Sequence, residues 1–220
     1  RNHPAFSIIK KSELNFDQFN QIKKYCDKKK ITFFSTPFDV ESVNFLNDIK
    51  VKLFKISSFD IENYELINAI LEKNKYTIIS TGMASLQSIR KINKVFNKKK
   101  LNHSLLHCVS SYPLDEKKSY LNNLIFMKKK FNCDIGLSDH TPDIKTSIYS
   151  YLLGSKIIEK HFMLSKNDNC VDKPVSITPV QMKDLRNQLL NIDKILGKVN
   201  FGIRPNERKA ISFKRKKIYA

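Results

Sequence analysis

Two histidines in this sequence each directly follow a short, mostly apolar stretch of chain. His140 comes after the stretch 133–138 and its following aspartate, and His161 closes the stretch 156–161. Two neutral imidazoles at one edge of a sheet could bind a divalent cation, with water or substrate oxygens completing the coordination. Each ring could instead hydrogen-bond a neighbouring loop, which is the more common role for an isolated pair. The spacing alone therefore leaves both roles open.

Lys55 lies inside another apolar stretch, next to two serines at 57 and 58. A cation within a strand requires either a counter-charge or a ligand to bind. An ammonium beside hydroxyl groups can bind the phosphate or carboxylate group of a substrate. A lysine at a strand edge whose ammonium reaches water is an equally good interpretation. Hydroxyl side chains near other strand ends would also suit a phosphate, although any one of them is ordinary in that position. They are Thr36, Ser58, Ser80, Ser110 and Ser138.

The elements that would position these side chains form a regular series. Six stretches are predicted to be strands, at residues 31–35, 53–57, 76–80, 104–109, 133–138 and 156–161. Their starts are 22, 23, 28, 29 and 23 residues apart, with apolar residues at helical spacing between them. Such intervals hold a strand, a crossover helix and two loops, so the strands are predicted to be parallel. A long helix is predicted at 179–196, ending at Gly197, and the tail 213–220 is predicted to begin another strand.

The fold class is therefore α/β, and the glycines help to choose between an open sheet and a barrel. The chain has five glycines, with no G-x-G-x-x-G after the first strand and no P-loop motif. Polar residues follow every predicted strand, which is typical of the catalytic edge of a parallel β/α (TIM-type) barrel. A complete barrel has eight units. The sequence predicts a barrel truncated to about six of them.

Composition excludes several classes of protein. The 220 residues include 15 Phe and 8 Tyr, too much apolar material for a disordered chain. No apolar stretch approaches the ~18 residues of a membrane span. The four cysteines form no C-x-x-C pair, which indicates reduced thiols in a cytoplasmic protein.

The net charge of +19, from 40 Lys+Arg against 21 Asp+Glu, would by itself suggest a nucleic acid or another polyanion as partner. Most of these cations are lysines, however, and clustered arginine with interleaved aromatics is missing, so nucleic-acid binding is disfavoured. The basic stretches 28–30, 73–75, 98–100 and 128–130 each close a predicted helix. They are expected at the edge of the sheet opposite to the histidines.

Six motifs, in this order and at these spacings, carry a resemblance to a known family. They are FSTPFD (34–39), FKISS (54–58), STGM (80–83), LLHCVSSYP (105–113), GLSDHT (136–141) and IEKHF (158–162). The chain closely resembles the sialic acid synthase family, which contains the N-acetylneuraminate synthases and their legionaminate and pseudaminate relatives. The resemblance extends from about Phe6 to Ala220.

The resemblance implies a transferase that condenses phosphoenolpyruvate with an N-acetylated hexosamine, assisted by a divalent metal that is usually manganese, with magnesium as the alternative. It implies that His140 and His161 are the metal ligands. It places phosphoenolpyruvate on Lys55 and on the hydroxyls of Thr36, Ser58, Ser80, Ser110 and Ser138. Tyr112, Asp60 and Asp172 match positions near the sugar, and Lys55, Asp60 and Asp172 are the implied catalytic residues. The family's Gly-Pro-Asp step is Cys170-Val171-Asp172 here.

The resemblance also implies a domain organisation. Residues 1–203 correspond to a β/α barrel without its first two strands, and residues 204–220 to a connector toward a C-terminal antifreeze-like domain. The full-length form is expected to be a homodimer, and this segment alone to be inactive. The alternative interpretation is a non-catalytic basic remnant that binds nucleic acid or another polyanion.

Overall fold

The computed structural model describes residues 6–215. Its five strands are β1 (Leu53–Ile56), β2 (Tyr76–Ser80), β3 (His103–Cys108), β4 (Asp134–Asp139) and β5 (Ile157–Lys160). Its helices are α1 (Phe6–Ser12), α2 (Phe16–Lys28), α3 (Val40–Asp48), α4 (Tyr64–Glu72), α5 (Leu86–Lys98), α6 (Asn122–Lys130), α7 (Lys145–Leu152) and α8 (Pro179–Leu196). Over this part of the chain, no helix has the length and apolar content needed to cross a membrane.

The strands form one parallel sheet in the order β1-β2-β3-β4-β5. Each new strand is therefore added to the same edge, and the order never reverses as it does in a doubly wound sheet. The sheet curls into a half-barrel. The α/β class and the parallel strands predicted from the sequence are confirmed.

Local sequence determines where several helices begin. Asp39 and Ser85 accept hydrogen bonds from the backbone N–H three residues later, at the first turns of α3 and α5. At α8, Thr178 and Gln181 form a reciprocal capping box, with Pro179 in the first turn. The helix ends at Gly197, which has a φ of 56°. The predicted bounds of this helix are confirmed.

The main core lies between one face of the sheet and the helices that cover it. Phe54 and Ile56 of β1 are fully buried there, together with Phe96 of α5 and Leu105 of β3. Because side chains alternate along a strand, Lys55 lies on the opposite face of the sheet. The helices thus cover one face and leave the other for the functional side chains.

The predicted strand at residues 31–35 is wrong. Residues 31–37 have no regular secondary structure and form no ladder with β1, and the N–H of Ile31 instead bonds the carbonyl of Cys26 at the end of α2. Phe33 packs against the core while Ile31 is 63% exposed. The apolar side chains that suggested a strand therefore anchor an irregular segment whose backbone has no strand partner.

The predicted strand at 213–220 lies partly outside the described residues. Residues Pro205–Phe213 form a 3₁₀ helix, and Lys214 and Arg215 have no strand structure. This part of that prediction is wrong. Residues 216–220 lie outside the described part of the chain.

One turn recurs between a helix and the segment that follows it. Lys30, Lys50, Asn74 and Lys100 come just after α2, α3, α4 and α5, with φ angles of 58°, 60°, 53° and 56°. These are left-handed conformations in which glycine is the usual residue. Lysine or asparagine occupies all four.

Candidate active site

A cavity of about 390 Å³ opens at the carboxyl ends of the strands. Ten of the residues singled out in the sequence border it. They are Thr36, Lys55, Ser57, Ser58, Ser80, Ser110, Tyr112, Ser138, His140 and His161. Parallel strands bring their carboxyl ends to one edge, so residues more than a hundred positions apart in sequence meet here.

Lys55 is a buried cation that lines this cavity, with 5% of its surface exposed. Its ammonium donates to the Ser80 hydroxyl at 2.7 Å and to the Ile56 carbonyl at 2.9 Å. The Glu159 carboxylate lies 3.7 Å away. Burial lowers the pKa of Lys55, and the nearby Glu159 charge partly opposes that effect. Of the two interpretations that the sequence left open for Lys55, the structure shows the buried one.

The register of three strands places a thiol, a hydroxyl and a carboxylate side by side. Cys108 of β3 is paired with Ser138 of β4, and Ser138 with Glu159 of β5. Residues paired in this way share a face of the sheet, here the face that lines the cavity. The Ser138 hydroxyl donates to Glu159 Oε1 at 2.7 Å.

The two histidine rings lie together, with centroids 5.4 Å apart. His140 Nδ1 is 2.8 Å from the Val109 carbonyl, which can only accept, so Nδ1 carries a proton and, in the neutral ring, Nε2 keeps its lone pair. His161 Nδ1 is 3.4 Å from Asp172 Oδ2. Tyr112 packs on His140 with 4.0 Å between ring centroids.

The two imidazoles are in different electrostatic surroundings. Burial lowers the pKa of His161, and the Asp172 carboxylate opposes this only in part. Burial also acts to lower the pKa of His140, but contacts with Cys108 and the Val109 carbonyl outweigh it, so the net shift is upward. Burial and the surrounding carboxylates raise the pKa of Tyr112 to about 12. That phenol therefore keeps its proton and can donate a hydrogen bond into the cavity.

The residues present fit a divalent metal as a partial ligand set. Ligating histidines usually donate their other ring N–H to a carbonyl or a carboxylate, and Val109 and Asp172 occupy those places here. Within residues 6–215, no group of three or more His, Cys, Asp or Glu side chains is arranged to hold a metal ion. The remaining coordination would therefore come from water or substrate oxygens.

The two predicted catalytic aspartates have different locations. Asp172 contacts His161 and so lies beside the cavity. Asp60 accepts hydrogen bonds from Ser57 at 2.5 Å and Asn63 at 3.2 Å, and it does not line the cavity. The structure therefore brings Asp172, but not Asp60, to the histidines.

A buried ion pair supports the ends of β4 and β5. Lys160 Nζ lies 3.3 Å from Asp139 Oδ2, with 2% and 0% of the two side chains exposed. Asp139 also accepts from the Thr141 backbone and hydroxyl at 2.8 Å and from the Ser147 hydroxyl at 2.6 Å. Lys160 donates to the Thr141 carbonyl. Because Asp139 and Lys160 directly precede His140 and His161, this network fixes the backbone from which both rings project.

Sequence reasoning missed five residues that line the cavity: Phe38, Phe59, Cys108, Glu159 and Lys160. A signal was available for the last two. Glu159 and Lys160 are charges at the end of an apolar strand, which is the same pattern that identified Lys55. Cys108 carried no such signal, since a cysteine in a strand is ordinarily a small apolar residue.

Comparison with known proteins finds a family model and several similar proteins. A model of the NeuB family matches residues 1–201. The N,N'-diacetyllegionaminic acid synthase of Campylobacter jejuni is 37% identical over 216 residues, which cover 97% of this chain and 65% of that protein. The chain thus spans slightly less than two thirds of this relative.

Two solved structures show the same fold. The N-acetylneuraminic acid (sialic acid) synthetase from Leptospira borgpetersenii, solved in complex with citrate, is 35% identical with a TM-score of 0.89, over 97% of this chain and 75% of that one. A truncated 3-deoxy-D-arabino-heptulosonate 7-phosphate synthase from Thermotoga maritima matches with a TM-score of 0.74 at 13% identity, over 86% of this chain and 76% of that one. The second likeness concerns the fold alone.

Proposed function

Because this chain belongs to the NeuB family, we propose that it takes part in condensing phosphoenolpyruvate with an N-acetylated hexosamine to form a nine-carbon sugar acid. The observation that carries this proposal is a buried lysine, with hydroxyls around it, in the same cavity as a pair of histidines. That combination provides one place for an anion and another for a polarised carbonyl oxygen.

The reaction balances with one water. C3 of phosphoenolpyruvate forms a bond to the aldehyde carbon of the open-chain sugar, whose oxygen takes a proton and becomes a hydroxyl. Positive charge develops at C2 and water adds there, releasing a proton. The C2–O bond then breaks, phosphate leaves with the bridging oxygen, and a ketone remains at C2.

The anionic end of the substrate is assigned to Lys55 and the hydroxyls around it. An ammonium held in place by Ser80 and the Ile56 carbonyl is already oriented when the phosphate arrives. Ser58, Ser110 and Thr36 border the same cavity and can donate further hydrogen bonds. Their role is to position phosphoenolpyruvate with C3 facing the second substrate.

The sugar is assigned to the histidine side of the cavity. Tyr112 keeps its phenolic proton and donates to a sugar oxygen. Of the two predicted aspartates, Asp172 is placed to accept hydrogen bonds from sugar hydroxyls, whereas Asp60 is held by Ser57 and Asn63. A divalent cation on His140 and His161 supplies Lewis-acid polarisation of a carbonyl oxygen when it is bound.

The direct test follows phosphate release and sugar-acid formation from phosphoenolpyruvate, N-acetylated hexosamines and Mn²⁺. Any turnover should give both products in equal amounts, with no phosphate when the hexosamine is omitted. Turnover by these 220 residues would also show that the expectation of an inactive segment is wrong. With ¹⁸O in the bridging position of phosphoenolpyruvate, mass spectrometry should find the label in the phosphate. Phosphate release without a sugar acid would contradict the proposal.

A matched pair of lysine variants tests the role assigned to Lys55. Lys55→Met removes the buried ammonium and should lower kcat/KM at least 100-fold, the loss expected for a charge-assisted contact to substrate. Lys52→Met, at an exposed position just before β1, removes the same charge outside the cavity. It should leave kcat/KM within about twofold of the wild-type value.

A further inference from the structure

Glu159 contacts Lys55, which the proposed function assigns to substrate phosphate, and Ser138, a hydroxyl of the same cavity that the family resemblance also places on phosphoenolpyruvate. Its Oε1 accepts from Ser138 at 2.7 Å, and its Oε2 lies 3.7 Å from the Lys55 ammonium. A buried ammonium needs a counter-charge, and here this carboxylate supplies it. The carboxylate thus occupies the place where an anion would bind.

A phosphate group and this carboxylate cannot use the same donors together. A phosphate in contact with Lys55 and Ser138 would lie within a few ångströms of Glu159, and like charges at that distance repel strongly when partly buried. One of the two must move. The substrate therefore has to displace Glu159 or bind against its charge.

The side chain of Glu159 has few contacts that would prevent it from moving, unlike the Asp139 carboxylate on the neighbouring strand β4. The Asp139 side chain is fully buried and held by Thr141, Ser147 and Lys160. The Glu159 side chain is 38% exposed, and its oxygens contact only Ser138 and Lys55 in the described part of the chain. It can rotate toward solvent without breaking any other contact.

We propose that Glu159 is a displaceable carboxylate that competes with phosphate for Lys55 and Ser138. The substrate is anchored at additional points and can displace it. After the C2–O bond breaks, inorganic phosphate no longer has the contacts made by the rest of the substrate. It is therefore displaced when the Glu159 carboxylate contacts Lys55 and Ser138 again. This role rests on the proposed function and makes Glu159 a positioning residue that weakens the binding of free phosphate.

The test is titration of the full chain with inorganic phosphate, without metal or sugar, by calorimetry or ³¹P NMR. Glu159→Gln keeps the size of the side chain and its ability to accept from Ser138, but it removes the charge. It should bind phosphate about tenfold more tightly than wild type. Glu72→Gln makes the same change in net charge at the exposed end of α4 and should leave the affinity within about twofold.

Two further variants keep the outcome decisive. Lys55→Met should abolish phosphate binding with either glutamate or glutamine at 159, which locates the measured site. Glu159→Asp keeps the charge but withdraws it by one methylene, so its affinity should lie between those of wild type and Glu159→Gln. If the glutamine variant fails to fold, a tighter affinity in the aspartate variant supports the proposal and an unchanged one overturns it.

An unchanged or weaker phosphate affinity in a folded Glu159→Gln protein would overturn the proposal, because Glu159 would then order Lys55 rather than compete with the anion. Absence of phosphate binding in both wild type and variant would overturn it too. Failure of the proposed function has a different signature, namely no sugar acid from the wild-type chain whatever the phosphate affinities are. If turnover occurs, phosphate should inhibit Glu159→Gln about tenfold more strongly than wild type.

Discussion

At the scale of single residues, the two histidines are held by unlike means. His140 is fixed by the Val109 carbonyl on one side and by the Tyr112 ring on the other. His161 has its longer contact with Asp172, and both of those side chains are partly exposed. We therefore expect His140 to be oriented before any ligand binds, and His161 to adjust when it does.

Replacing either ring should remove divalent metal binding while leaving the fold intact. In His140→Ala and His161→Ala, the affinity for Mn²⁺ should fall at least 100-fold, because a second imidazole alone is a weak ligand set. Titration followed by electron paramagnetic resonance of free Mn²⁺ measures this directly. His103→Asn, which removes an imidazole from the far end of β3, is the control and should bind as wild type. Equal Mn²⁺ affinities in all four proteins would rule out the histidine site.

Site residues could be predicted from the sequence where a polar or charged side chain lies in or directly after an apolar stretch. Lys55 was identified because a charge does not belong in an apolar strand, and His140 because it directly followed one. Cys108, which carried no such signal, reaches the cavity through strand register, which depends on how β3, β4 and β5 align. A single sequence predicts that strands are parallel but does not fix their alignment. Asp60 shows the opposite case, because its capping partners hold it outside the cavity.

At the scale of elements, the ends of β4 and β5 depend on the buried pair of Asp139 and Lys160. Asp139→Asn should lower the free energy of unfolding by about 3–5 kcal/mol, because it leaves the Lys160 ammonium without its counter-charge. Adding Lys160→Met should recover part of that loss. Urea denaturation measures both.

An exposed ion pair provides the matched control for that prediction. Asp143 and Lys145 are 3.5 Å apart, with 45% and 59% of their side chains exposed. Asp143→Asn should therefore cost no more than about 1 kcal/mol. A similar loss in Asp139→Asn and Asp143→Asn would show that the buried network does not fix the strand ends.

The order of elements could be predicted because the intervals between apolar stretches fit a strand and a crossover helix. The stretch 31–35 failed because an apolar composition reports burial of side chains, whereas a strand is defined by backbone pairing. Ring contacts of Phe19 with Phe33 and Phe45 show how that stretch is held without pairing. Helix α1 was not predicted, and it buries no residue completely.

At the scale of the whole molecule, much of the excess positive charge lies away from the cavity. Lys28, Lys98 and Lys130 close α2, α5 and α6, and each helix leads into a segment that runs toward the cavity. For Lys98 and Lys130, the order of elements agrees with the expected placement at the opposite edge, because α5 and α6 lead into the starts of β3 and β4. Their positions suit the negative ends of the helix dipoles and do not form part of the phosphate site.

The stability of the molecule should fall in mild acid. Burial lowers the pKa of both His103 and His107 in the folded chain, so the folded state stays neutral where the unfolded state, with a pKa of about 6.5, takes up protons. The unfolding free energy should be unaffected by these groups above about pH 6.5 and should decrease as the pH falls below it.

Replacing one of these imidazoles tests their share of the effect. In His107→Gln, the difference in unfolding free energy between pH 7 and pH 5 should be smaller than in wild type, even if the variant is less stable at both. Chemical denaturation at the two pH values provides the comparison. An identical pH dependence would assign the acid sensitivity to other groups.

The left-handed turns after α2, α3 and α5 offer a route to a more robust protein. Lys30, Lys50 and Lys100 have left-handed backbone conformations, each of which costs a residue with a β-carbon about 1–2 kcal/mol. Replacing each lysine with glycine should recover about 0.5–1 kcal/mol of that cost, because the greater conformational entropy of glycine in the unfolded chain offsets the rest. The triple glycine variant should therefore melt several degrees higher, as differential scanning calorimetry would show. It would also lose three positive charges without altering the cavity. The heat tolerance of the fold can thus be engineered at one edge of the sheet while the cavity at the other edge stays unchanged.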